Sequence, residues 1–281
     1  METALALPPL NSKYISYSDE GQGEVLVLIH PFLTDKTFWS AQQQELRSYF
    51  RLITIDLWGF GHSEPISGSA STMNDYSDEI LQLLDQLYIK KAIIGGESTG
   101  GYVALNFLTK HPNRVKGLLL SNTQATAVNL ELKKKLEQTA TLVLNFGSEF
   151  LVDFFVNAAL STEASAQTRQ TLLNIARTQR PQAIADALIA LSGREDSTLS
   201  LSKSKLPILI ITSDKDRLIA PQESANMQAL AENSKLVLIA NAGHLSSLEQ
   251  SKQWSKAVRE MFQPALRALQ TAIATQVHKE E

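Results

Sequence analysis

The chain has 281 residues, 43% hydrophobic and 20% charged, with a formal net charge of −3 at pH 7. This length suits one large α/β domain, or one domain with a substantial insertion, and the balance lacks the clustered positive charge that nucleic-acid binding requires. Cysteine is absent, which excludes disulfides, thiol nucleophiles and thiolate metal sites.

Met1 to Leu10 lacks the basic start and long apolar core of a secretory signal. No apolar run approaches the roughly 20 residues of a membrane span, so a cytoplasmic location is expected. Apolar runs predict strands at Tyr14–Tyr17, Val25–His30, Arg51–Asp56, Ala92–Gly96, Lys116–Ser121, Ile208–Ser213 and Leu236–Ala240. Between them, Ile80, Leu83, Leu84 and Leu87 form one helical face, and Val103, Phe107 and Leu108 another. Gln222–Ala231 and Trp254–Phe262 also read as helices, with Pro221 suited to a first turn. After Pro264, Leu266, Leu269, Ile273 and Val277 predict a last amphipathic helix.

The alternation stops between Asn122 and Leu206, where helical patterns recur near Leu130–Phe146, Ser148–Leu160, Ser165–Thr178 and Pro181–Leu191. The expected class is therefore α/β: a mostly parallel twisted sheet of about eight strands flanked by helices, carrying an all-helical cap insertion. The core would comprise residues 1–121 and 207–281, and the cap 122–206. Leu142, Phe146, Phe150 and Phe154 repeat every four residues. Such a stripe is ordinarily a helix's own core; the sharper reading makes Phe146, Phe150 and Phe154 a roof over an apolar substrate pocket, with His30 and Leu245 at its base.

Gly96-Glu97-Ser98-Thr99-Gly100 stands between the strand at Ala92 and the helix carrying Val103. G-x-S-x-G at a strand-to-helix corner forces its serine onto a strained turn and exposes the hydroxyl, the geometry of a nucleophile elbow. A serine needs a base to take its proton. Of the five histidines, His278 lies in the tail, His111 closes a helix before Pro112, His62 sits in a glycine turn, and His30 ends a strand before Pro31, placed to shape an oxyanion loop. His244 follows the last strand, and loops at strand C-termini of a parallel sheet share one crevice with Ser98. The acid that orients such an imidazole is Asp214 or Asp216 on chain order alone. Asp56, ahead of Gly59, reads better as a turn cap.

His30-Pro31-Phe32, the loop Asp56 to Ser63, the elbow at Ser98, Asp216 and Gly243-His244 together resemble the α/β-hydrolase superfamily over about residues 14–262. Ser121-Asn122-Thr123-Gln124-Ala125, Gly193 to Thr198 and Gly243 to Gln250 are similar to small carboxylesterases and enol-lactonases of the 3-oxoadipate type. The resemblance implies Asp216 as the acid and the N–H groups of Phe32 and Thr99 as the oxyanion hole. It implies a serine hydrolase of carboxylic esters or lactones, working through an acyl-enzyme, with no cofactor and no metal. Two departures stand out. Pro31 replaces the usual glycine and supplies no N–H, and residue 97 is Glu, read here as a hydrogen-bonded structural group behind the elbow.

The expected partner is a small-molecule ester, on a monomer or homodimer. Lys133, Lys134 and Lys135 form a basic run, ordinarily a solvated face. Its alternative use is to dock an acyl-carrier protein, which would make the chain an acyl-carrier or CoA methyl esterase or thioesterase. A small-molecule receptor of the same fold, with incidental hydrolysis, is the reading from another class.

Overall fold

The computed structural model describes residues 15–65 and 71–263. The first half of the chain forms β1 (Tyr17–Glu20), β2 (Val25–Ile29), α1 (Ser40–Leu46), β3 (Arg51–Ile55), α2 (Met73–Gln86), β4 (Ala92–Glu97), α3 (Thr99–Lys110) and β5 (Val115–Ser121). Five helices follow without an intervening strand: α4 (Leu130–Phe146), α5 (Glu149–Ala159), α6 (Ala166–Arg177), α7 (Pro181–Ser192) and α8 (Thr198–Lys203). The chain then returns through β6 (Ile208–Ser213), α9 (Pro221–Leu230), β7 (Ser234–Ile239), α10 (Ser246–Glu249) and α11 (Ser251–Phe262).

The described strands form one sheet in the order β1-β3-β2-β4-β5-β6-β7. Every pairing is parallel except β1 with β3. The sheet thus has seven strands among the described residues, against the expected eight or so: seven apolar runs were present, and no further segment joins them. The run at β4 is buried throughout, as is that at β6, because helices cover both faces of a parallel sheet. α1 packs against α11 on one side, while α2 packs against α3 on the other.

The first strand departs from expectation. Tyr14–Tyr17 reads as a strand, yet pairing begins at Tyr17 and runs through Ser18, Asp19 and Glu20. An edge strand is selected by its backbone partner rather than by apolar content, and Asp19 fastens it to β3 through Arg51 at 2.6 Å. Tyr14, His278 and the predicted tail helix with Leu266, Leu269, Ile273 and Val277 lie outside the described residues.

Helix starts follow local chemistry. Thr72 and Asp75 form a reciprocal capping box on α2, an arrangement worth about 1 kcal/mol. The side chains of Asn129 and Ser165 accept from the Leu132 and Thr168 N–H groups to open α4 and α6. Pro181 and Pro221 occupy first helical turns, where the missing N–H costs nothing. α4 lies along α7 and α5 against α6, whereas α8, short and polar, packs on α3 and α9 beside the sheet.

The aromatic stripe is a correction to the helix-core reading. Phe146 is 78% exposed, Phe154 66%, Phe150 46% and Leu142 44%, so these side chains do not build a helical core. The buried face of α5 is Val152, Phe155, Val156 and Ala159, an i, i+3, i+4, i+7 set that starts two residues beyond Phe150. Phe155, not Phe154, turns inward.

Candidate active site

Ser98, Asp216 and His244 follow the C-terminal ends of β4, β6 and β7, and parallel pairing carries all three ends to one edge of the sheet. Ser98 has φ 55 and ψ −115, a left-side backbone conformation that costs a non-glycine residue about 1–3 kcal/mol. Its N–H donates to the Ser121 carbonyl at 2.9 Å, and Thr123 Oγ1 donates to its carbonyl at 3.0 Å. These bonds hold the turn from both sides. Gly100 permits the corner, because a Cβ there would stand 2.1 Å from the Ile29 carbonyl oxygen.

Ser98 Oγ lies 2.7 Å from His244 Nε2. His244 Nδ1 lies 2.9 Å from Asp216 Oδ2 and 3.1 Å from Oδ1. With Nδ1 donating to the carboxylate, Nε2 is free to accept from the serine. Asp216 Oδ1 also accepts from the Leu218 and Ile219 N–H groups, both at 2.9 Å, and Asn122 Nδ2 donates to Oδ2 at 2.9 Å. Burial alone would raise the Asp216 proton affinity. The His244 bond and charge, with Ile219 and Asn122, outweigh it and hold the carboxyl below its ordinary range. Asp214 instead accepts from the Ala242 N–H at 3.3 Å, and Asp56 binds the Lys36 ammonium at 2.6 Å and the His62 N–H at 3.0 Å. Neither meets His244.

Glu97 is fully buried behind the serine. Its Oε1 is 3.0 Å from Ser121 Oγ, 3.0 Å from Ser246 Oγ and 3.1 Å from the Ser247 nitrogen, while Oε2 is 2.5 Å from Ser247 Oγ. Burial raises its carboxyl above the usual range, partly opposed by Ser247. The side chain thus ties β4 and β5 to the start of α10, one residue beyond the loop that carries His244.

Phe32 is nearly buried, its ring edge-on to Phe155 at 5.8 Å. Thr99 opens α3, where N–H groups lack intrahelical acceptors. His30 is no pocket wall. It is buried, Nδ1 donates to the Pro31 carbonyl at 2.9 Å, and Nε2 accepts from the Leu57 N–H at 3.1 Å. Burial lowers its proton affinity, so it acts as a neutral fastener of the loop ahead of Phe32. Leu245 is fully buried, and its N–H donates to the Ala159 carbonyl at 3.3 Å.

The helices between β5 and β6 are fastened over this edge. Glu249 Oε1 accepts from the Gly243 N–H at 2.8 Å, and Oε2 accepts from Ser161 Oγ at 2.5 Å. A Cβ on Gly243 would meet the Ser161 nitrogen at 2.6 Å. Across the site, Gln179 accepts from the Gly61 N–H at 3.0 Å and donates to Asp35 at 2.9 Å. Sequence reasoning missed Asn122, Ser246, Glu249 and Gln179, since single polar residues in turns carry no periodic signal. The only hint was that Asn122, Ser246 and Glu249 lie in stretches singled out for their likeness to relatives.

A family model described as the alpha/beta hydrolase fold matches residues 24–251. A pimeloyl-[acyl-carrier protein] methyl ester esterase of Aliivibrio salmonicida is 27% identical, with 88% of this chain and 95% of the relative aligned. A thermophilic esterase from Thermogutta terrifontis, solved with malate bound, superposes with a TM-score of 0.85 and 31% identity over 88% of this chain and 92% of that one. The enol-lactonase of Burkholderia xenovorans superposes with a TM-score of 0.82 at 22% identity, over 89% and 97% of the two chains.

Proposed function

The chain belongs to the α/β-hydrolase fold family, and from that premise we propose that it is a serine hydrolase of carboxylic esters or lactones. The observation that carries the reading is the continuous contact from Ser98 through His244 to Asp216, 2.7 Å and then 2.9 Å. Ser98 Oγ attacks the carbonyl carbon as His244 Nε2 takes its proton, and Asp216 stabilises the resulting imidazolium. The N–H groups of Phe32 and Thr99 receive the oxyanion, each such donor being worth about 10²–10³ in rate. The tetrahedral intermediate collapses with His244 returning the proton to the departing alkoxide. Water, deprotonated by the same imidazole, then releases the acid and regenerates Ser98.

Helices α4 to α7 serve as a cap on a core whose described residues are 15–65, 71–121 and 207–263, with α8 the return to the sheet. Supporting this division, the insertion is anchored at both sides of the site, by Ser161 on Glu249 and by Gln179 on Asp35. Phe155 and Phe32 then bound the acyl side of the site.

The test is turnover of p-nitrophenyl esters of graded acyl length, with fluorophosphonate labelling. Fast multiple turnover and labelling, both lost in Ser98→Ala, support the reading. A single slow burst from the unaltered protein refutes it in favour of a receptor. Hydrolysis of an acyl-carrier methyl ester is the second reading, favoured by the name of the Aliivibrio relative. Against it, Lys135 pairs with Glu131 at 2.8 Å and Lys133 approaches Glu137 at 3.9 Å, so the basic run is largely compensated within its own helix. Among the described residues no helix is long and apolar enough to cross a membrane.

A further inference from the structure

The polar atoms behind Asp216 contain a proton-counting problem. Ser246 Oγ stands 2.6 Å from Asn122 Oδ1 and 3.0 Å from Glu97 Oε1. Both are acceptors if Glu97 is ionised, and a serine hydroxyl has one proton to give. Ser121 does not relieve the shortage. Its hydroxyl faces the same two side chains, at 3.0 Å from Glu97 Oε1 and 3.3 Å from Asn122 Oδ1. It already accepts from Trp254 Nε1 at 2.9 Å. An ionised Glu97 therefore leaves a close oxygen–oxygen contact with no hydrogen in it, fully buried, where an unmade bond is costly.

One additional proton resolves the whole arrangement. Placed on Glu97 Oε1, it is donated to Ser246 Oγ. Ser246 then gives its own proton to Asn122 Oδ1. That contact fixes the orientation of the Asn122 amide, so that Nδ2 donates to Asp216 Oδ2 at 2.9 Å and to Ser213 Oγ at 2.7 Å. Ser213 in turn donates to the Gly243 carbonyl at 2.5 Å, next to His244. Asn122 has φ 44, a left-handed position that asparagine tolerates better than most residues. It follows β5, between the strand ends that carry Ser98 and Asp216.

We infer that Asn122 is a positioning residue for Asp216, and that a proton retained on Glu97 and relayed through Ser246 holds Asn122 in its donor orientation. The inference rests on the triad reading above. It adds that the acid of the site is set by a one-way chain of donors starting at a neutral carboxylic acid behind the nucleophile. The titratable groups facing Asp216 are His244 and Tyr102, the latter with Arg194 stacked 3.8 Å from its ring centroid, and Glu97 faces His244.

The experiment measures kcat, KM and the pH profile of ester hydrolysis for variants of both residues, with Ser98→Ala as reference. Asn122→Asp keeps the shape but replaces the donor with an acceptor, and Asn122→Gly removes the side chain while tolerating the backbone. Both are expected to lose about tenfold or more in kcat with KM within about twofold, as for loss of one hydrogen bond to a charged group. Both also move the acid-side fall of kcat/KM to higher pH, because the less stabilised carboxylate holds the imidazolium more strongly. Glu97→Gln, neutral and able to donate, is expected to be about tenfold more active than Glu97→Ala. Folding is checked by circular dichroism.

Asn122 variants with full kcat, or with a lowered kcat and an unmoved pH profile, overturn the positioning role. Glu97→Gln no better than Glu97→Ala overturns the retained proton. Turnover that survives Ser98→Ala overturns the triad reading and this inference with it.

Discussion

A serine held at φ 55 is tolerable only while its neighbours leave no alternative, and Gly100 is the tightest of them. Gly100→Ala drives a methyl into the Ile29 carbonyl, so a loss of about 3 kcal/mol or more is expected in urea unfolding. Asp216→Asn keeps the shape but replaces an acceptor of the His244 Nδ1–H with a donor, and is expected to lower kcat by about 10⁴ with little change in KM. The elbow corner and the position of His244 after the last strand were legible in the sequence, because each sits at a strand end beside glycine, whereas Phe32 and Thr99 were named as oxyanion donors only through the resemblance. The choice of Asp216 over Asp214 was not legible from spacing, which differs by two residues in a loop. It is made by the turn in which Leu218 and Ile219 present their N–H groups to Asp216, while Asp214 caps the loop at Ala242.

Among elements, the buried strands and capped helices were readable, since a run such as Ile208–Ser213 or a start such as Ser165 states its own local preference. β1 was not, because an edge strand takes its place from β3, and α10 is too short for a periodic signal. The aromatic stripe failed for a different reason: α5 has two apolar arcs, and only packing decides which is inside. That decision has measurable consequences. Phe154→Ser should leave stability within about 0.5 kcal/mol and short-ester turnover unchanged. Phe155→Ala, which removes the ring against Phe32, should cost about 3–5 kcal/mol and raise relative kcat/KM for longer acyl chains. Equal behaviour of the two variants in urea unfolding and in the ester series would contradict the assigned inner face.

For the molecule as a whole, buried carboxyls set opposing pH limits. Asp56 resembles Asp216: burial would raise its proton affinity, but Lys36 and His62 lower it below the usual range. Stabilisation from such depressed groups is present above their unfolded value of about 3.9 and lost as pH falls through the folded one. Glu79 and Glu97 run the other way, raised by burial. Their stabilisation is complete below about pH 4.3 and is lost as pH rises toward the folded value. Glu79→Gln, which can still accept from the Trp58 N–H, should therefore lose less urea resistance between about pH 5 and about pH 8 than the unaltered protein. The clamp of Glu249 on Gly243 and Ser161 bears on engineering by exchange of parts. A helical segment transplanted from another hydrolase arrives without a matching hydroxyl for that carboxylate, and with a different backbone facing the side-chain-free residue before the imidazole. Chimaeras would then lose rate even toward substrates that fit the new chamber, until the graft restores both halves of the fastening.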